Sequence, residues 1–225
     1  KIENLLVPFS LDGLPPVPKP LNKKIDDWFA PSATQLENFE ILIGNRKTQK
    51  TAENIDFLLD AFAPIAAEIF LKLPKSINPQ QLEQPRIESI IKNWLQNPTL
   101  NDPAIVSQNE SVDSMMDLFV DMATGQQAIS LDFCIGQVWR HCQPSMYKQL
   151  SYNACSDNVF AEIVMLDEST KRYSYGPPVE AIQQLIALNK AGVLNLDFVN
   201  NPKIEMVNEG WRLANSNTLI TVNIM

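Results

Sequence analysis

The chain has 225 residues, with 18 Lys and Arg against 26 Asp and Glu, so its formal net charge is −8 at pH 7. Proteins that bind nucleic-acid phosphates or anionic membrane surfaces need an excess of basic residues. The acidic balance therefore predicts that this chain binds neither. The composition, 45% hydrophobic and 20% charged, is typical of a soluble globular protein. His141 is the single histidine, which removes most metal sites built on two histidines.

Residues 1–31 are predicted to form an arm or connector. Proline at this density disfavours helix and favours extended backbone. We expect Trp28 and Phe29 to anchor the arm by burial. The prolines of the segment are Pro8, Pro15, Pro16, Pro18, Pro20 and Pro31.

Residues 32–192 are predicted to form a helical domain, because their apolar residues recur at steps of three and four. Pro64 and Pro144 fall inside two of the helices, and we expect a kink or a break at each. Ser111 is a candidate N-cap, and Gly125 and Gly192 are candidate helix ends. The periodic segments are 55–70, 87–95, 112–122, 131–150, 158–166 and 179–188.

Residues 193–225 change to a period of two, which predicts short strands joined by tight turns. Successive strands with short connections favour an antiparallel meander. The fold class is therefore predicted as α+β, mostly α, with a helical body and a small meander at the carboxyl end. Because the last strand pattern runs to residue 225, we expect a chain cut from a longer protein, with strands that belong to a larger sheet. The predicted strands are 193–199, 203–207, 211–214 and 218–224.

The sequence offers no convincing catalytic or metal set. His141 and Cys142 are neighbours on a helix and cannot face each other, although Cys134 could share a side with either. A metal there would need a fourth ligand, so packed cysteines beside a hydrogen-bonded histidine are preferred. The rows Asp56/Asp60 and Asp113/Asp117/Asp121 are interpreted as solvated helix faces. Three cysteines, an odd number at low density, predict reduced thiols and a cytoplasmic protein.

Three segments resemble the FAD–NAD(P)-binding family of bacterial flavoproteins. Residues 8–15 are similar to its Ser-Arg-x-Gly-Leu-x-Pro stretch, and residues 138–147 to its Trp-Arg…Arg-Pro…Tyr helix. Residues 175–178, with the turn at 191–193, resemble its Gly-Pro-Pro segment, leucine-bearing helix and Ala-Gly-Val turn. Gln143 stands where the family often has arginine.

The resemblance implies that the chain is the helical insertion of such a flavoprotein, without its GxGxxG half. That missing half would then be the partner of this chain and would hold both FAD and NAD(P). This chain alone would bind neither cofactor. A small-molecule substrate would meet a cap that excludes water. The implied pocket or cofactor-binding residues are Trp139, Arg140, Tyr147, Gly176 and Pro177. For Arg140, an ion pair within the chain is the alternative.

A second hypothesis makes the chain a non-catalytic helical interaction module. Met115, Met116 and Met122 would then form an adaptable surface that holds a partner helix. Core packing of the same stripe is the alternative.

Overall fold

The computed structural model describes residues 25–78, 80–97, 100–106, 111–174, 178–194, 196, 203–208, 210–214 and 219–222. Within these ranges it has eight α-helices, a short 3-10 helix and a small antiparallel sheet at the carboxyl end. The predicted class, α+β and mostly α, is confirmed. The helices are α1 (Ala33–Ile43), α2 (Arg46–Thr51), α3 (Asp56–Lys72), α4 (Gln84–Gln96), α5 (Val112–Ala123), α6 (Leu131–Leu150), α7 (Asp157–Ser174) and α8 (Val179–Lys190).

The described residues divide into two compact units. The larger contains the described parts of Val17–Glu110 together with Leu118–Val179, and the smaller contains Ser111–Asp117 and the described residues from Glu180 onward. In the larger unit, α3 packs against α4, and α6 packs against α1, α3, α4 and α7. The candidate site belongs to this larger unit. The domain boundaries at residues 31 and 192 stay predictions.

Side-chain caps fix several helix starts in the described chain. Ser32 accepts from the backbone N–H of Gln35, whose side chain accepts in return from the Ser32 N–H, which is a capping box. Ser111 accepts from the N–H of Ser114 at 3.2 Å, as its predicted N-cap role requires. Gly125 ends α5 with a φ of 73°, a left-handed conformation that glycine adopts without steric cost.

Both interior prolines lie within unbroken helices, so of the two outcomes expected at Pro64 and Pro144, a kink or a break, the break does not occur. Proline removes one backbone hydrogen bond and costs about 3 kcal/mol in a helix interior. Ten residues of α3 and thirteen of α6 are buried. Each large apolar side chain gains about 1.5–3 kcal/mol by burial, so packing outweighs the proline penalty several times.

The amino-terminal aromatic pair lies beside the core of the larger unit. Phe29, in the 3-10 helix Asp27–Phe29, is buried and meets Phe133 edge to face at 5.8 Å between ring centroids. Trp28 is partly buried and packs against the same core. Burial thus anchors this pair as expected, whereas residues 1–24 lie outside the described part.

The smaller unit carries a three-stranded antiparallel meander in the order β1 (Lys203–Val207), β2 (Gly210–Ala214) and β3 (Leu219–Val222). The predicted strand at 193–199 is wrong where it is described, because residues 193, 194 and 196 adopt no strand. The N–H groups of Val193 and Leu194 instead donate to the Leu188 carbonyl, at 3.0 and 3.2 Å, and finish α8.

Candidate functional site

One face of α6 carries three polar donors at intervals of four residues. Ser130 caps the helix by accepting from the N–H of Phe133. Trp139, Gln143 and Tyr147 then follow one another on the same side, because residues four apart nearly coincide around a helix. Gln143, which stands where the resembled family often has arginine, is therefore part of the same row.

All three donors point to the carboxylate of Asp167 on α7. Its Oδ1 accepts from the Trp139 indole Nε1 at 3.4 Å and from the Gln143 Nε2 at 3.1 Å. Its Oδ2 accepts from the Tyr147 hydroxyl at 3.2 Å. These donors are neutral, so they orient the carboxylate without forming an ion pair with it.

An apolar groove lies beside this carboxylate, between α6 and α7. Its volume is about 160 Å³. The aromatic rings of Trp139, Tyr147 and Phe160 and the Asp167 carboxylate line it. Tyr147 is 45% exposed and Phe160 38%, so both can be reached from solvent, whereas Trp139 is buried. The remaining lining residues are Leu58, Met146, Leu150, Ser151, Ile163 and Val164.

The core holds Trp139 in place from the opposite side. Its ring meets Phe62 of α3 edge to face, with 5.0 Å between centroids and 69° between the planes. An aromatic pair of this geometry contributes about 0.5–1.5 kcal/mol beyond the burial of its area. The indole N–H is therefore held rigidly toward Asp167, and the groove is built on packed helices.

Arg140 points away from the groove. Its guanidinium forms an ion pair with Asp26 and donates to the Gln137 side-chain oxygen at 3.2 Å. The His141 Nε2 lies 3.3 Å from an oxygen of the same Asp26 carboxylate, without the alignment of a hydrogen bond. Arg140 therefore has the intrachain partner that the sequence left as the alternative.

The structure thus brings together two of the five predicted pocket residues, Trp139 and Tyr147. Gly176 and Pro177 lie outside the described residues. Sequence reasoning missed Asp167, because the periodic segment at 158–166 ends just before it. The four-residue spacing of Trp139, Gln143 and Tyr147 was the available signal for a shared polar partner.

The thiols of α6 are packed in the core. Burial raises the pKa of Cys142 to about 12 and raises that of Cys134 further. At neutral pH both stay protonated, and a thiol is a poor nucleophile and metal ligand until it loses its proton. Cys155, which is partly buried, also has a raised pKa because of desolvation. The preference for packed cysteines over a reactive pair agrees with this burial.

A buried carboxylate lies at the first turn of α6. Asp132 accepts from the Val106 N–H at 3.2 Å, and burial raises its pKa although hydrogen bonds from Ser130 and Val106 oppose the shift. The Leu131 N–H also donates to the Ala104 carbonyl at 2.7 Å. These bonds tie the segment 100–106 to the start of α6, which is a structural role.

The acidic rows form contacts typical of solvated helix faces. Asp60 pairs with Lys92, Asp56 accepts from the Gln96 side chain at 3.2 Å, and Asp117 lies 3.4 Å from Lys190. Across the described ranges, no group of three or more His, Cys, Asp or Glu residues could hold a metal ion.

The three methionines of the α5 stripe differ in how much of each side chain is exposed. Met122 is buried, whereas Met115 and Met116 are partly buried. Thus one of the three side chains belongs to the core, and the stripe does not form one continuous exposed surface.

Comparison with protein-family models, with curated proteins and with solved structures gives no match to this chain. Among its described helices, none has the length and apolar character required to cross a membrane.

Proposed function

We propose that this chain is the cap or substrate part of an FAD- and NAD(P)-linked oxidoreductase of the cytoplasm, with its nucleotide-binding half elsewhere in the same protein. The observation that supports this is the groove between α6 and α7. Trp139 and Tyr147, which the resemblance assigns to a pocket, line it together. The groove combines apolar walls with a few convergent polar groups, as small-molecule sites do.

The groove does not fit a flavin. Its volume of about 160 Å³ is below the roughly 300–1,000 Å³ of pockets that take drug-sized ligands, and FAD is larger still. In this proposal the other half of the protein therefore holds FAD and NAD(P), and their redox chemistry belongs there. The residues of this chain position the substrate and keep water away from it.

The test compares this chain with the longest natural protein that contains it. We expect the longer protein to purify with the visible absorbance of oxidised flavin, which added NADH or NADPH bleaches in the absence of oxygen. The isolated chain, incubated with FAD and then desalted, should stay colourless. A colourless longer protein, or an isolated chain that retains FAD, would contradict the proposal.

The alternative, a helical interaction module built on the methionine stripe, is the weaker proposal. Its surface requires exposed methionines, and Met122 is buried. Substitution of the partly buried Met115 and Met116 by lysine tests it. If the stripe binds a partner helix, these changes abolish co-purification of that partner while the circular dichroism of the chain is retained.

A further inference from the structure

We propose that the groove between α6 and α7 binds a small ammonium ion with an apolar body, whose charged head pairs with Asp167. That this molecule is a substrate rests on the proposed function. The inference adds the chemical class of the substrate. Its support is the combination of a carboxylate that forms no ion pair with the described side chains, an aromatic lining and a cavity of limited size.

The charge of Asp167 is not neutralised by any of the ion pairs that the described side chains form. Its three donors come from an indole, an amide and a phenol, all neutral. A carboxylate has about four lone-pair positions, so Oδ2, which accepts only from Tyr147 among the described side chains, can take a further donor. A cationic N–H donor is the strongest available, because both its charge and its hydrogen bond favour the carboxylate.

The aromatic lining favours the same head group. Faces of Trp and Tyr attract cations through the negative charge of their π-systems, by about 0.5–2 kcal/mol. Trp139 is buried and directs its N–H toward Asp167, so the partly exposed rings of Tyr147 and Phe160 are the ones that a cation in the groove can meet. An anionic ligand would meet the Asp167 carboxylate there and be repelled.

The residues that line the groove determine the size and polarity of the uncharged part of the ligand. Apart from the Asp167 carboxylate, the Ser151 side chain and the polar tips of Trp139 and Tyr147, the lining is aliphatic or aromatic. The volume is about 160 Å³, close to the roughly 150 Å³ of an engineered apolar cavity that accepts benzene. A single ring or a short branched chain beside the ammonium group therefore fills the groove.

The probe that matches this description is benzylamine, with benzyl alcohol as its neutral analogue and benzoate as its anionic one. Binding is followed on the 225-residue chain by labelling the methionine methyl groups with ¹³C. Met146 lines the groove, and Met206 on β1, which is not one of its lining residues, serves as the reference. The variant Met146→Leu assigns the reporting signal.

We expect benzylamine to shift the Met146 signal through its ring current and to leave Met206 unchanged. It should bind about tenfold more tightly than benzyl alcohol, which is the difference expected for one charge-assisted hydrogen bond. Benzoate should not bind. In Asp167→Asn the preference for benzylamine should disappear, whereas Glu168→Gln, which removes one charge from the adjacent position, should retain it.

Benzylamine binding no tighter than benzyl alcohol would overturn the inference without the use of any variant. So would a shift of Met206 equal to that of Met146, or an unchanged preference in Asp167→Asn. These results concern the ammonium ion alone, since the flavin test on the longer protein is independent of them. A colourless longer protein, conversely, would remove the proposed function and leave the binding site standing.

Discussion

Replacement of Asp132 at the start of α6 tests whether burial or hydrogen bonding controls this carboxyl group. In the wild-type chain, the Val106 N–H donates to Asp132 Oδ1 at 3.2 Å. Asp132→Asn removes the charge and retains a side-chain oxygen that can accept this hydrogen bond. Asp132→Ala removes the acceptor as well. A buried N–H left without a partner costs about 1–3 kcal/mol, so the alanine variant should be less stable than the asparagine variant by about that much.

The pH dependence follows from the direction of the shift. Burial raises the pKa of Asp132 in the folded state above its ordinary value. The folded chain therefore favours the protonated form, and the resulting stability is complete below the unfolded pKa, about 4, and is lost as pH rises through the folded pKa. The asparagine variant has no such loss. Relative to wild type, it should gain stability as pH rises above the unfolded pKa of about 4.

Urea unfolding followed by circular dichroism measures both effects. The free energy of unfolding of wild type minus that of Asp132→Asn should decrease as pH rises. Because Asp132→Ala also removes the carboxylate, its pH trend should parallel that of Asp132→Asn, offset by the lost hydrogen bond to Val106. If the wild type instead gains stability over the asparagine variant at higher pH, hydrogen bonding outweighs burial at Asp132 and the reasoning fails.

Three further predictions concern other parts of the fold. Gly125→Ala places a side chain at a φ of 73°, so it should lower the free energy of unfolding by about 1–2 kcal/mol, and Gly125→Asn by less, in the same urea assay. Asp26→Asn removes the partner of Arg140, and because both side chains are partly exposed a change above about 1 kcal/mol would contradict the weak pair expected there. In native protein, a thiol reagent should modify Cys155 first and Cys142 only in urea, since Cys142 is buried; equal rates would disprove this order.

The sequence predicted the elements whose causes are local. The apolar spacing of α3 and α6, the Ser111 cap and the glycine at position 125 all act within a few residues. At Pro144 the same local rules allowed a break, yet the helix is continuous because it is buried against distant helices, which no short window of sequence contains.

For the same reason, local sequence patterns could not predict that Asp167 belongs to the candidate site. Trp139 and Tyr147 could be predicted as pocket residues from a resemblance, yet their shared partner Asp167 lies 28 and 20 positions further along the chain. The contact depends on how α7 packs against α6. The strand predicted from residue 193 was wrong because Val193 and Leu194 finish a helix, a use of backbone hydrogen bonds that alternation does not reveal.

The row of donors on α6 also makes the Asp167 contacts sensitive to any movement of α7 along α6. Trp139, Gln143 and Tyr147 are four residues apart, which is about 6 Å of rise along the helix axis. A shift of α7 by that distance would take the Asp167 carboxylate out of reach of at least one of its three donors. The three hydrogen bonds therefore oppose axial displacement of α7 and hold Asp167 at one height beside the groove.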